Sequence, residues 1–245
     1  MTSLAGDKNR AAADAKLAEK SFFGFGKQGR YEEASELYKS AANAYKLNDQ
    51  FGESADCYIK AGECCAVVDG NPTSTDCVNM LIEASQMYKR VDVVKSIETF
   101  NKAIQVYCDT SRLGQAARYQ KEVAEMLEND NNSDMALAAY EKAIDLYQKD
   151  NKTSAAKDCL LKAALIYSNM ACNLAAEPGD GNANATIMNY FIKAGEIYDQ
   201  VGRESMESKL GAYSAKGYFF QSLLCTLALG KKCLLQLCCS FCLAV

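Results

Sequence analysis

The sequence of 245 residues contains no histidine and no tryptophan, and it has only two prolines, Pro72 and Pro178. Without imidazole, Ser-His-Asp and Cys-His catalysis and every metal site that needs histidine are excluded. Rarity of proline beside abundant Ala, Lys, Glu and Leu favours α-helix. With 49% apolar and 24% charged residues the chain can bury a core. We therefore predict an all-α protein that is not an enzyme and holds no cofactor.

The sequence also lacks a strong excess of charge of either sign. It has 27 Lys and Arg against 31 Asp and Glu, a net charge of −4, so a generally basic nucleic-acid binder is not expected. The charge is uneven, because no acidic residue follows Glu207. Twelve cysteines are present, but the polar N-terminus has no signal-peptide pattern, which favours reduced thiols over a secreted disulfide framework.

An eight-residue pattern recurs nine times: an aromatic residue or Leu, usually Ala three positions on, and usually Tyr seven positions on. These positions share one face of an α-helix. Most copies start 19–23 residues apart, which is room for one helix and a turn, so consecutive helices should pack antiparallel. The pattern predicts a tetratricopeptide-like, right-handed α-solenoid of helical hairpins. The copies begin at Tyr38, Tyr58, Leu81, Phe100, Tyr119, Tyr140, Leu160, Phe191 and Phe219.

Two interruptions of the period suggest the domain organisation. Residues 171–186 resemble a polar surface insertion, and residues 201–211 form a shorter connection. We expect the solenoid to occupy residues 1–200 and a partial C-terminal helical region to occupy residues 201–245.

Residues 21–30, SFFGFGKQGR, interleave phenylalanine with glycine and should form a loop rather than a helix. The rings could fold back as a hydrophobic plug on the first helices. Alternatively they enter a lipid interface while nearby Lys and Arg meet anionic headgroups. The predicted membrane-attachment residues are Phe22, Phe23 and Phe25.

Basic residues recur at corresponding places in successive repeats and form a second candidate site. On one side of a solenoid they could hold a long acidic rod through many weak contacts. They could equally be ordinary solvated surface charges. The set comprises Lys46, Lys89, Arg90, Arg112, Arg118, Lys157, Lys162 and Lys193.

The C-terminal stretch KKCLLQLCCSFCLAV is rich in cysteine. Cys239-x-x-Cys242 is half of a zinc pattern whose second pair is missing, so no metal site is expected. The last four residues formally match a prenylation box, but Val is not a usual final residue. We favour an alternative or altered reading of the 3′ end of the gene as the origin of this stretch.

Several blocks, namely SFFGFG, YEEASELYKSAANAYK, IYDQVG and YSAKGYFF, resemble the soluble NSF attachment proteins, the α type most closely. The resemblance runs from about Ala15 to Cys225. It implies a cytosolic, peripherally membrane-associated adaptor that binds assembled SNARE bundles and recruits the hexameric ATPase NSF for their disassembly. It also implies a sheet of helical hairpins followed by a C-terminal helical bundle, incomplete here.

Carried onto this sequence, the resemblance places membrane attachment at Phe22 and Phe23. The sequence departs from the family after Cys225, where members continue to an acidic end that stimulates the ATPase, so we expect weak stimulation. The alternative interpretation is a generic repeat scaffold for another helical or peptide partner. The predicted SNARE-binding residues are Lys89, Arg90, Arg112, Arg118, Lys157, Lys162, Tyr213 and Lys216.

Overall fold

A computed structural model describes residues 3–19, 26–176, 183–207 and 211–230. Within these ranges the chain forms ten α-helices and no β-strand. The predicted all-α solenoid class is confirmed. The helices are α1 (Ser3–Ala18), α2 (Lys27–Lys46), α3 (Phe51–Asp69), α4 (Thr75–Tyr88), α5 (Val93–Asp109), α6 (Leu113–Asn129), α7 (Ser133–Lys149), α8 (Thr153–Ala176), α9 (Ala183–Met206) and α10 (Gly211–Gly230).

Each of the nine sequence repeats lies in its own helix, one copy in each helix from α2 to α10. The repeated positions are the buried face of the helix. In α7, for example, Tyr140 and Ala143 are completely buried and Tyr147 is 6% exposed. The degenerate copy in α10 is less buried, since Phe219 is only half-buried and Thr226 is exposed. The periodicity therefore predicted correctly the buried side of α2 to α5 and of α7 to α9.

Short turns with left-handed residues reverse the chain between helices. Ser111 and Asn151, for example, have φ of 56° and terminate α5 and α7. The backbone amide of Arg112 then donates to the Tyr107 carbonyl at 2.8 Å. In the same way, the backbone amide of Lys152 donates to the Tyr147 carbonyl at 2.9 Å. These six-to-one bonds satisfy carbonyls that the helix end leaves without partners. Because such turns are brief, adjacent helices run antiparallel.

The first compact unit extends to Tyr119 and contains α1 to α5 and the start of α6. Neighbouring helices from α1 to α5 pack pairwise in chain order. Buried tyrosines fasten one helix to another: Tyr45 donates to Asp7 of α1 at 2.7 Å, and Tyr58 donates to Asn43 of α2 at 2.8 Å. Burial and the Asp7 bond raise the pKa of Tyr45 to about 12.

The second unit runs from Gln120 and contains the rest of α6 and α7 to α10. Helices α7, α8, α9 and α10 pack in chain order. Tyr140 donates to Glu128 at 2.7 Å. Helices α9 and α10 approach closely at Gly202, where an added Cβ would lie 2.8 Å from the Phe219 ring. The predicted division at 200/201 stays a prediction, and α9 continues across it.

Two further features concern α8 and α9. The polar insertion predicted at residues 171–186 is helical at both ends, because α8 continues to Ala176 and α9 begins at Ala183. By length and composition alone, α8 is the one helix in the described part of the chain that could cross a membrane. Nine of its residues are buried, and it packs against α7 and α9. A core helix of a folded unit meets the same criteria.

Candidate functional site: cations over aromatic rings

Three arginines of the first unit lie over aromatic rings. The Arg90 guanidinium is 4.8 Å from the centre of the Phe51 ring, and Arg118 is 5.4 Å from that of Tyr119. Arg112 lies 4.8 Å over Tyr107. An aromatic face attracts a cation by about 0.5–1 kcal/mol at exposed sites. Two of these rings, Tyr107 and Tyr119, are repeat positions, so the repeat does more than fill the core. Phe51, at the start of α3, lies outside the repeat.

Arg90 and Arg118 are exposed, whereas Arg112 is half-buried and bonded within the fold. The Arg112 guanidinium donates to the Thr110 hydroxyl at 2.9 Å and to the Thr73 carbonyl at 3.2 Å. It therefore joins the turn before α6 to the loop before α4. Because these bonds occupy part of its donor capacity, Arg112 has a structural role whether or not it also binds a partner.

The first unit does not gather its predicted residues at one end of the helices. Lys89 and Arg90 lie in the turn between α4 and α5, and Arg112 lies in the turn between α5 and α6. These turns are separated by the length of α5, whose 17 residues span about 25 Å. Arg118, in the second turn of α6, lies nearer the Arg112 end. A partner that contacts all of them must extend along the helices.

In the second unit, two predicted lysines contact side chains of neighbouring helices. Lys157 donates to the Ser205 hydroxyl, and its ammonium group lies 5.0 Å over the Tyr218 ring. Lys162 lies 3.6 Å from the Glu128 carboxylate. Lys157 therefore links α8 to α9 and α10, and Lys162 links α8 to α6.

The remaining predicted pair lies on α10 and faces solvent. Tyr213 is 86% exposed, and Lys216, three residues on, is also exposed. Their i, i+3 spacing puts both side chains on one face of the helix. Of the two, the exposed Tyr213 ring is the kind of side chain that is enriched in protein interfaces, whereas lysine is depleted there.

The predicted membrane residues Phe22, Phe23 and Phe25 lie outside the described residues. The residues on either side of them are held together, because Arg30 in the first turn of α2 donates to the Glu19 carbonyl just after α1. Gly26, with φ of 86°, precedes α2 and allows the chain to enter the helix from a left-handed conformation.

The sequence interpretation missed one side-chain cluster. Cys65 and Asp69 near the end of α3 lie beside Cys77 near the start of α4, and their ligand atoms are all within 4.8 Å of one another. The only hint in the sequence is a pair of cysteines on either side of the turn-forming segment Gly70–Asn71–Pro72.

The described residues thus form a helical-repeat fold that presents arginine side chains over aromatic rings. Comparison with known proteins identifies the family. The sequence model of the protein family described as "Soluble NSF attachment protein, SNAP" matches residues 5–178 and 181–237 of the chain. The chain therefore belongs to this family. The match continues past Cys225, where the sequence resemblance was expected to stop. Attachment proteins are adaptors, so the prediction that the chain is not an enzyme is confirmed.

Individual relatives agree with the family match. The chain is 29% identical over 216 residues to an alpha-soluble NSF attachment protein of Vitis vinifera, covering 88% of this chain and 68% of the relative. It is 30% identical over 208 residues to the Homo sapiens protein of that name, and the match covers 84% of this chain and 63% of the relative. It is 30% identical over 224 residues to the vesicular-fusion protein SEC17 of Komagataella phaffii, and that match covers 89% of this chain and 69% of the relative. The chain thus spans about two thirds of the length of these relatives.

Proposed function

We propose that this protein is a SNAP-type adaptor that binds assembled SNARE bundles and recruits the NSF ATPase for their disassembly in vesicle-mediated transport. It acts in the cytoplasm and attaches peripherally to membranes through residues 21–30. Family membership supports the adaptor class, and the names of the relatives point to NSF attachment and vesicle fusion. The observation that carries the binding surface is the placement of exposed Arg90 and Arg118 over aromatic rings.

The physical basis of this binding is the sum of weak, solvated charge contacts. One exposed ion pair contributes about 0–1 kcal/mol, so specific binding needs several cations that act together along a long acidic partner. A ring beneath each guanidinium limits the conformations of the arginine, which reduces the entropy lost when the partner binds. Because the contacts are exposed, their strength should fall as salt is added.

Charge reversal at the two exposed arginines tests the binding surface. We expect Arg90→Glu and Arg118→Glu each to weaken binding to a purified SNARE bundle about 5–20-fold at 0.15 M salt, since each exchanges attraction for repulsion. Lys102→Glu is the matched control, because Lys102 is exposed in the same unit and is not in the predicted set. Equal losses in all three variants, or none, would contradict the proposed surface. Unchanged binding together with capture of an unrelated helical peptide would favour the generic scaffold.

Liposome flotation tests membrane attachment. Replacing Phe22 and Phe23 with Ser should remove most of the protein from anionic liposomes, because two large apolar rings no longer enter the interface. Leu47→Ser is the control, since Leu47 is 82% exposed in the turn after α2 and lies outside the proposed loop. Undiminished flotation of the Phe22 and Phe23 variant would refute attachment through this loop.

We expect this protein to stimulate NSF weakly. The reason is the cysteine-rich sequence at residues 238–245, which lies beyond the matched family range. The measurement is SNARE disassembly by purified ATPase, with a relative such as the Homo sapiens protein as the reference. Disassembly at the rate of the reference would overturn this part and leave the SNARE-binding proposal intact.

A further inference from the structure

Two cysteines and one aspartate converge where α3 ends and α4 begins. Cys65 and Asp69 are four residues apart on one face of α3, and the Cys65 thiol donates to the Asp69 carboxylate at 3.5 Å. Cys77 approaches from the first turn of α4. The two sulfur atoms and one carboxylate oxygen all lie within 4.8 Å of one another.

The loop between the helices fixes the second thiol. The Ser74 hydroxyl caps α4 by accepting from the Cys77 amide at 3.4 Å, and it donates to the Cys77 sulfur at 3.0 Å. The Cys77 thiol in turn lies 3.7 Å from the Asn71 carbonyl oxygen. The Asn71 side chain accepts from the Thr73 amide at 2.9 Å, which tightens the loop. Backbone and hydroxyl groups thus hold the second thiol at a defined position beside the first.

We propose that Cys65, Asp69 and Cys77 form a binding site for a thiophilic divalent cation, with Zn²⁺ as the best match. Zinc binds sulfur at about 2.3 Å and carboxylate oxygen at about 2.0–2.2 Å in tetrahedral geometry. Its ligands are then about 3.5–3.8 Å apart, which the observed cluster reaches with small movements. Two sulfur ligands favour zinc over magnesium and calcium, which prefer all-oxygen sites.

The burial of the cluster gives the ion both a protected side and an entrance. Cys65 is 9% exposed and Cys77 is 3% exposed, while Asp69 faces solvent. An ion can therefore enter past the carboxylate and meet the thiols behind it. Each thiol loses its proton to water as its metal–sulfur bond forms, so binding releases about two protons per ion. The fourth ligand is water, or the Asn71 carbonyl after a shift of the loop.

Cobalt titration under reducing conditions tests the site in the full chain. The starting protein carries Ser at four cysteines outside the described residues, because those thiols could bind metal independently: Cys233, Cys238, Cys239 and Cys242. We expect one Co²⁺ per chain, with a thiolate-to-cobalt charge-transfer band that zinc abolishes by competition. A titration without that band overturns the proposal.

Single variants then assign the ligands. Cys65→Ser and Cys77→Ser should each weaken binding at least about 100-fold, and Asp69→Asn should weaken it about 10-fold. Cys64→Ala is the matched control, because Cys64 is the adjacent thiol of α3 and is buried in the core. Its cobalt affinity should stay within about 2-fold of the starting protein.

Helical circular dichroism at 222 nm checks that each variant folds. Asp69→Asn keeps the test decisive if a cysteine variant unfolds, because the exposed Asp69 can be changed without disturbing the core. Unchanged affinity in folded Asp69→Asn, or an equal loss in Cys64→Ala, overturns the assignment.

Discussion

Removal of one hydroxyl group, by Tyr140→Phe, tests how the repeat tyrosines stabilise the fold. Tyr140 is completely buried, and its hydroxyl donates to Glu128 at 2.7 Å. A hydrogen bond to a charged group contributes about 1.5–3 kcal/mol. Glu128 keeps Lys162 as a partner and is partly exposed, so we expect a loss near the lower limit, about 1.5 kcal/mol. For a chain of this size that lowers the thermal midpoint by about 3–6 °C.

The pH dependence separates this bond from a general packing loss. Burial, followed by the bond to Glu128, raises the pKa of Tyr140 far above its ordinary value near 10. The folded chain therefore favours the neutral phenol, and this stabilisation is complete below pH 10 and is lost as pH rises above it. At pH 11 the unfolded chain gains about 1.4 kcal/mol from ionisation of this tyrosine, which phenylalanine cannot provide. The stability advantage of the parent over Tyr140→Phe should then nearly vanish.

Thermal unfolding followed by circular dichroism at pH 8 and at pH 11 measures both effects. Tyr213→Phe is the matched control, because Tyr213 is 86% exposed and its hydroxyl should contribute little to stability. A midpoint for Tyr140→Phe within 1 °C of the parent at pH 8 would refute the contribution of the bond. An unchanged difference between parent and variant at pH 11 would refute the ionisation argument.

Two further substitutions test the packing and the turns. Gly202→Ala should destabilise the protein by about 1–3 kcal/mol, because the added Cβ would lie 2.8 Å from the Phe219 ring. Gly52→Ala is the control and should be neutral or stabilising, since a Cβ at Gly52 would have no atom within 4 Å. Chemical denaturation measures both changes, and equal behaviour of the two variants would contradict the close approach of α9 and α10. Ser111→Gly should stabilise by about 0.5–1 kcal/mol, because Ser111 has a left-handed φ of 56°, and a lower thermal midpoint would refute this reasoning.

The sequence predicted the helices well because their signal is local. An aromatic residue at Tyr140, a small one at Ala143 and a ring at Tyr147 reveal the buried face, whatever helix packs against it. The two compact units separate within α6 at Tyr119, inside a continuous repeat, so the sequence pattern does not mark this boundary. Contacts between distant residues define such a unit, and no local pattern records them.

The candidate site shows the same distinction. The residue pattern picked out Arg90, Arg112 and Arg118 as similar cations, and only tertiary contacts distinguish exposed Arg90 from Arg112, which is bonded to the Thr73 carbonyl. Composition and spacing by themselves determined an all-α repeat protein without histidine chemistry, since helix propensity and periodicity act over a few residues. Tertiary structure alone decided which cations face solvent. It also brought Cys65 to Cys77, because residues twelve positions apart meet only when the chain reverses between α3 and α4.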